Sequence, residues 1–306
     1  MRNFSPKETK EFLERIRKHL YRLDYNDLTI QMNEFVNSMP IITVPPRKEI
    51  HLFKEYSRDR AIVYKARPNE GKLPWQFLKD ISIVPEDKKQ NVNRGRLNKP
   101  GERIFYCSND MRVSCLESIS KGLTLQPESK YLTVGAWKII EPLNLAKVYY
   151  SNQGLEHFAK NNKELYDRKS EYREWERNDA IGQLKQNFKG EELEKAIVIL
   201  DFFSDEIGRI DIRNGYDYML CNYFADHIFH RTKSFKPEDK IDGILYPSIP
   251  FSYQGDNIAF TENGFKKLKF ISAAFVKVIF TEGANWLFFE KGIQADENGQ
   301  LLWNNV

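Results

Sequence analysis

Glu117 is unusual in the sequence because it is a carboxylate within an otherwise apolar helical segment. It follows Cys115 and Leu116 and lies two residues before Ile119. Burying an unpaired charge is costly, so a glutamate here should have a cationic partner or take part in a reaction. The alternative is a surface glutamate paired with Arg112 or Lys121. The residue types alone leave both interpretations open.

A second candidate is the turn Gly95-Arg96-Leu97-Asn98, which is followed by Pro100-Gly101. Glycine and proline favour a tight turn, where backbone amides and the Arg96 guanidinium could converge on an anion. An arginine in such a loop is more often solvated than bound to phosphate. By itself the turn is therefore a weak signal of function.

The order of the segments along the chain is more informative than any one of them. Tyr64-Lys65-Ala66-Arg67 comes first, then the GRLNKPG turn with Tyr106 and Glu117, and much later the run Asp242-Gly243-Ile244-Leu245-Tyr246-Pro247-Ser248 with Gly255 and Asn257. From about residue 60 to 280 this set resembles the RES domain family, which is named for an arginine, a glutamate and a serine. Leu97 stands where that family has an aromatic residue.

The resemblance implies a fold like that of ADP-ribosyltransferases and an enzyme that consumes NAD⁺, by hydrolysis or by transfer of ADP-ribose to phosphate. It also implies a toxin of a toxin–antitoxin system, restrained by an Xre-like antitoxin. Carried over residue by residue, it implies a catalytic set of Arg67, Tyr106, Glu117 and Ser248. The implied NAD⁺-binding residues are Tyr64, Arg67, Arg96, Tyr106, Ser248 and Asn257.

These residue types suit the implied reaction. An arginine fork binds pyrophosphate in a bidentate manner, and a tyrosine ring can stack on the cationic nicotinamide. Cleavage of the nicotinamide–ribose bond should pass through an oxocarbenium-like cation, which a carboxylate such as Glu117 can stabilise. Ser248 is expected to hold a ribose hydroxyl or a phosphate, because the sequence places no histidine beside it as a base.

Three functional hypotheses follow. The first is an NAD⁺ glycohydrolase or phosphorylase, and the second is an ADP-ribosyltransferase that modifies a macromolecule. The third is a catalytically inactive RES-like binding module, against which the intact catalytic set argues. NAD⁺ enters as a substrate, and we expect neither a prosthetic group nor a metal, since the three cysteines have no metal-ligand spacing.

Composition limits the partners. The chain has 306 residues and 47 basic against 43 acidic side chains, and its net charge of +4 is too small to predict binding to nucleic acid or a membrane surface. The absence of a long apolar stretch and the presence of unpaired cysteines predict a cytoplasmic protein with free buried thiols. Expected partners are NAD⁺, inorganic phosphate and an Xre-like antitoxin, and the sequence leaves a homo-oligomer open.

The secondary-structure pattern predicts an α+β fold with a mixed or antiparallel sheet. Ser5-Pro6-Lys7-Glu8 predicts a capped helix to about residue 22, and a second helix is predicted at about 26–38. Residues 1–48 are thus expected to form a helical N-terminal extension to a RES-like domain at 49–306.

The remaining elements position the candidate site residues. Strands are predicted at 61–67, 103–107, 131–140 and 145–150 and in three apolar runs of the last third, and residues 70–100 are expected to form a long loop. A helix capped by Asn109 or Asp110 is expected to carry Glu117. The charged insertion at about 151–215 is predicted to begin with a solvated helix, and amphipathic helices are predicted at 191–207 and 215–231.

Overall fold

The computed structural model describes residues 4–36, 39–47, 61–69, 71–119, 129–161, 166–209, 215–231, 240–248, 255–281, 284–293 and 295–303. Its helices are α1 (Pro6–His19), α2 (Tyr25–Phe35), α3 (Leu78–Ile81), α4 (Met111–Ile119), α5 (Asn152–Asn161), α6 (Tyr166–Asn187), α7 (Gly190–Ile207), α8 (Met219–Asp226) and α9 (Glu262–Lys266). None of the helices in these ranges has both the length and the apolar composition needed to cross a membrane.

The described strands form one mixed sheet, which confirms the predicted α+β class. They are β1 (Thr43–Arg47), β2 (Ile62–Pro68), β3 (Phe105–Ser108), β4 (Ser129–Ile139), β5 (Leu143–Lys147), β6 (Gly243–Pro247), β7 (Asp256–Phe260), β8 (Leu268–Thr281) and β9 (Ala284–Ile293). Their order is β1-β5-β6-β7-β3-β2-β4-β8-β9. The pair β5–β6 is parallel and the other neighbouring pairs are antiparallel.

The capping box predicted at the start of α1 is present. The Glu8 amide donates to the Ser5 hydroxyl at 3.3 Å, and the Glu8 carboxylate accepts from the Ser5 amide at 2.9 Å. Downstream, α1 and α2 bury Phe12, Leu13 and Met32 in the same hydrophobic core as α7 and α8. The segment predicted as an N-terminal extension therefore contributes to this core and, through β1, to the sheet.

The two faces of the sheet carry different layers. The front face is the side that carries Tyr106, Ala259 and Ile244, and it packs under α1, α2, α7 and α8. The back face carries Leu245 and Ile258 and packs against apolar residues of other strands, of loops and of the short helices α3 and α9. Successive side chains of a strand point to opposite faces, so a position along a strand decides which layer its side chain joins.

The prediction of a solvated charged helix is wrong for part of α6. Arg173 and Glu176 are only 1% and 4% exposed, and they form an ion pair with an N–O distance of 2.6 Å. The composition of a helix shows which of its side chains are charged. It does not show whether the folded chain buries them against side chains of opposite charge. Charged side chains that are paired in this way can be buried.

The sequence interpretation also omitted several elements. No strand was predicted at 43–47, whereas this segment forms β1 at the edge of the sheet, where the missing amide donors of Pro45 and Pro46 are tolerated. The expected loop at 70–100 contains α3 and a 3₁₀ helix at Glu86–Asn91. The strand β9 and the short helix α9 were not predicted.

Gly264 in α9 provides a test of the packing. A Cβ atom there would lie 2.2 Å from the Asp242 carbonyl oxygen, so we expect Gly264→Ala to lower the free energy of unfolding by about 1–3 kcal/mol. Gly182, exposed within α6, has no atom within 4 Å of the corresponding position, and Gly182→Ala should stabilise by about 0.5–1 kcal/mol. Urea denaturation measures both. Equal effects of the two substitutions would contradict the described packing of α9.

Candidate functional site

The helix that carries Glu117 is attached directly to the backbone of β2. The amide of Ala66 donates to the Ser114 hydroxyl at 2.7 Å, and the Ser118 hydroxyl donates to the Ala66 carbonyl at 2.8 Å. Ser114 and Ser118, one turn apart on α4, thus bind the amide and the carbonyl of Ala66, the two backbone groups that a neighbouring strand would otherwise bind. Because Glu117 lies between the two serines in sequence, these bonds fix the height and rotation of its Cα relative to the sheet.

The Glu117 carboxylate accepts hydrogen bonds from two residues far away in sequence. The Ser248 hydroxyl donates to Oε1 at 2.7 Å, and the Asn257 amide donates to the same oxygen at 2.5 Å. Ser248 and Asn257 are buried, whereas Glu117 is partly exposed. The carboxylate is therefore held in one orientation at the boundary between the interior and the surface.

Ser108 completes this network. Its hydroxyl donates to the Asn257 carbonyl oxygen Oδ1 at 2.6 Å, which leaves the Asn257 amide nitrogen directed at Glu117. Ser108 and Asn257 are directly opposite each other in the pairing of β3 with β7. Sequence analysis missed Ser108, which lies one residue beyond the strand predicted at 103–107; the observed β3 includes it, and a residue two positions after Tyr106 on a strand shares its face.

The front-face residues around this network form a row across four strands. Tyr64 is opposite Ser108, and Asn257 is opposite Tyr246, so all four side chains project from the same side of the sheet. Burial raises the pKa of Tyr246 well above its ordinary value, and the nearby Glu117 charge raises it further. Tyr246 is therefore a neutral phenol, and Tyr64 is the half-exposed aromatic residue of the row.

Tyr106, a predicted catalytic residue, holds the turn at 95–98. Its hydroxyl accepts from the Leu97 amide at 2.8 Å and donates to the Asn98 side chain at 3.0 Å. Burial raises its pKa, so the phenol keeps the proton that the second bond requires. A Cβ atom on Gly95 would lie 2.2 Å from Asn98 Oδ1, which explains the glycine of the turn.

Arg96 of the same turn binds the end of α7. Its guanidinium donates to the carbonyls of Ile207 and, at 3.3 Å, of Arg209. A positive charge at a helix C-terminus is stabilising because the last carbonyls lack partners there. Asn222 of α8 holds the turn from the other side, donating to the Gly95 and Arg96 carbonyls at 2.8 and 3.1 Å.

Arg67 does not join Glu117 in this conformation. Its guanidinium lies 3.9 Å from the centre of the Trp75 ring and donates to the Asp80 carbonyl. Arg67 is three positions from Tyr64 on β2, so the alternation of the strand directs the two side chains to opposite faces. The structure thus brings together Glu117, Ser248 and Asn257 but not the first predicted arginine.

Asp256 and Asn257 begin β7, which is one of the three apolar runs predicted as strands in the last third of the chain. The fully buried Asp256 carboxylate binds Arg173 of α6 at 3.2 Å. Burial raises the pKa of Asp256, although the Arg173 charge opposes this effect. No pattern in the sequence pairs these two residues, which are 83 positions apart.

Among the described residues, no three His, Cys, Asp or Glu side chains are grouped so that they could hold a metal ion. Comparison with protein-family models and with curated proteins finds no match to this chain. The geometry of the site and the sequence resemblance are therefore the basis for its interpretation.

The three cysteines are free and buried, as predicted. Burial raises the thiol pKa of Cys115 and of Cys221 to about 12, and it raises the pKa of Cys107 as well. The thiolate is the nucleophilic form, so these residues are unsuited to nucleophilic catalysis at neutral pH.

We expect iodoacetamide at pH 8.5 to leave the folded protein unmodified and to add three groups after unfolding in urea, as counted by mass spectrometry. Rapid modification of any cysteine in the folded protein would contradict the described burial.

The raised thiol pKa values also make folding stability depend on pH. Their contribution to the stability of the folded protein is fully present below the unfolded thiol pKa near 9, and it is lost as the pH rises towards 12.

Proposed function

We propose that the protein is an NAD⁺-consuming enzyme that cleaves the nicotinamide–ribose bond, with Glu117 as its catalytic carboxylate. The observation that carries the proposal is the pair of hydrogen bonds to Glu117 from Ser248 and Asn257, residues 131 and 140 positions away. Glu117 and Ser248 are the glutamate and serine of the RES resemblance. Their contact supports a common site.

The chemistry needs few groups. In NAD⁺ the nicotinamide nitrogen is already cationic, so when the C–N bond breaks its electron pair makes nicotinamide a neutral leaving group that needs no proton. The ribose becomes an oxocarbenium-like cation, for which a fixed carboxylate supplies electrostatic stabilisation. Glu117 can also accept the proton of an attacking water or orient a phosphate nucleophile against the ribose. This reaction requires no histidine beside Ser248.

Ser248, Asn257 and Tyr64 are the proposed contacts to substrate on the front face. The hydroxyl of Ser248 and the amide of Asn257 can bind a ribose hydroxyl, and the half-exposed Tyr64 can stack on nicotinamide. Arg67 and Arg96 bind neutral carbonyls here, so a role in pyrophosphate binding requires exchange of those carbonyls for phosphate oxygens. Charged acceptors form the stronger hydrogen bonds, which favours such an exchange.

The biological role remains part of the proposal. An enzyme that depletes NAD⁺ harms the cell that makes it, which fits a cytoplasmic toxin held inactive by an Xre-like antitoxin. The acceptor distinguishes the forms of the activity: water gives a glycohydrolase, inorganic phosphate gives a phosphorylase, and a macromolecule gives an ADP-ribosyltransferase.

The first experiment incubates the protein with NAD⁺, with and without inorganic phosphate, and separates nicotinamide and ADP-ribose products by chromatography. We expect nicotinamide release, and Glu117→Gln should lower kcat by about 10²–10³-fold, as loss of a transition-state charge contact does. Glu86→Gln is the control, because Glu86 is an exposed carboxylate whose described ion pairs are with Lys89 and Arg103. It should retain a rate within about twofold of the wild type.

The outcomes separate the alternatives. A phosphate-dependent product indicates phosphorolysis, and transfer of label from [³²P]NAD⁺ to protein or nucleic acid indicates a transferase. Intact NAD⁺ under every condition would reject the proposed function. Wild-type turnover by Glu117→Gln would retain the function but reject the site.

A further inference from the structure

We propose that Arg173 of α6 is a positioning residue for the catalytic carboxylate, acting on Glu117 through Asp256 and Asn257; this inference rests on the proposed function. Arg173 does not touch Glu117. It binds Asp256, the residue that precedes Asn257 on β7.

The guanidinium of Arg173 is fixed on several sides. It donates to Glu176 at 2.6 Å and to Asp256 at 3.2 Å, and its central carbon lies 4.5 Å from the centre of the Tyr150 ring. Glu176 is held in turn by Lys147 of β5. The contacts therefore link α6 to two strands of the sheet.

Asp256 and Asn257 are consecutive, so strand alternation directs their side chains to opposite faces. Asp256 is held by Arg173, whereas Asn257 is held by Ser108 and Glu117 on the front face. The backbone of Asp256 is also bonded to Asn109, with the Asp256 amide donating to Asn109 Oδ1 at 3.4 Å. The first two residues of β7 are thereby held from both sides.

Stabilisation of the fold does not by itself explain why Arg173, Asp256 and Glu176 form buried ion pairs. A buried ion pair is often no more stabilising than a well-packed apolar pair, because removing both charges from water is costly. An ion pair does specify geometry, since the planar guanidinium binds its partners only in restricted orientations. The orientation transmitted to β7 is the one that aims the Asn257 amide at Glu117.

Arg177 offers a matched control in the same helix. It lies one turn after Arg173 and bonds Asp201 of α7 at 3.0 Å, and its guanidinium carbon lies 5.8 Å from the centre of the Tyr149 ring. The two arginines therefore make the same kinds of contact, but the described partners of Arg177 do not include β7. Its loss should affect stability without affecting the site.

The test compares Arg173→Met, the double variant Arg173→Met/Asp256→Asn and Arg177→Met. Arg173→Met should lower kcat for NAD⁺ roughly 10- to 100-fold with KM within about threefold, because small displacements of a catalytic group have effects of this size. It should also shift the ¹⁵N–¹H side-chain amide resonance of Asn257, assigned by its absence from Asn257→Ala. The double variant removes the unpaired carboxylate and should regain stability in urea while kcat stays low. Arg177→Met should lose stability with kcat and the Asn257 resonance unchanged.

Recovery of kcat together with stability in the double variant would reject positioning, as would an equal loss of kcat in Arg177→Met. If Arg173→Met does not fold, the double variant carries the comparison. If the wild type does not consume NAD⁺, the Asn257 side-chain amide resonance is the remaining measurement. A shift of this resonance in Arg173→Met but not in Arg177→Met would support positioning without the proposed reaction. An unchanged resonance would overturn the inference even if NAD⁺ is consumed.

Discussion

The register of β7 between β3 and β6 is the constraint on which the candidate site depends. It sets Asn257 opposite Ser108 on one side and opposite Tyr246 on the other. A slip of one residue would turn Asn257 to the back face and expose Ile258 to the front. Because Ile258 and Phe260 are completely buried in the back-face core, hydrophobic packing enforces the register. The geometry around Glu117 is thus a consequence of the core.

Sequence patterns could predict the elements but only part of the site. The capping box predicted the start of α1, and an apolar run with a polar start predicted α4 together with the position of Glu117. The resemblance placed Glu117 and Ser248 in one site, and the structure separates their side-chain oxygens by 2.7 Å. Helix caps and helical segments can be predicted because they depend on residues that are close in sequence. The pairing of Glu117 with Ser248 could be predicted only because the order of the motifs resembles that of a known family.

Other features could not be predicted in this way. The buried contact of Arg173 with Asp256 joins residues 83 positions apart. The sequence pattern of a charged helix is also the same whether its charged side chains face solvent or pair with charges in the interior. The position of Arg67, in contrast, could be predicted. Side chains alternate between the two faces of a strand, so Arg67, three residues after Tyr64, must point to the opposite face. The motif assigned both residues to one ligand, and the structure shows that the assignment requires Arg67 to change its contacts.

The kinds of donor around Glu117 also bear on catalysis. Ser248 and Asn257 are neutral donors, so these two hydrogen bonds orient the Glu117 carboxylate without offsetting its charge, as the proposed reaction requires. An arginine in the place of Asn257 would orient the group equally well but would offset that charge. The buried Arg173 pairs instead with Asp256 and Glu176, and Lys147 is the second cation that pairs with Glu176. For the proposed reaction, this arrangement holds the start of β7 through a cation whose described partners do not include Glu117, so the strand is fixed without placing the Arg173 charge on the carboxylate.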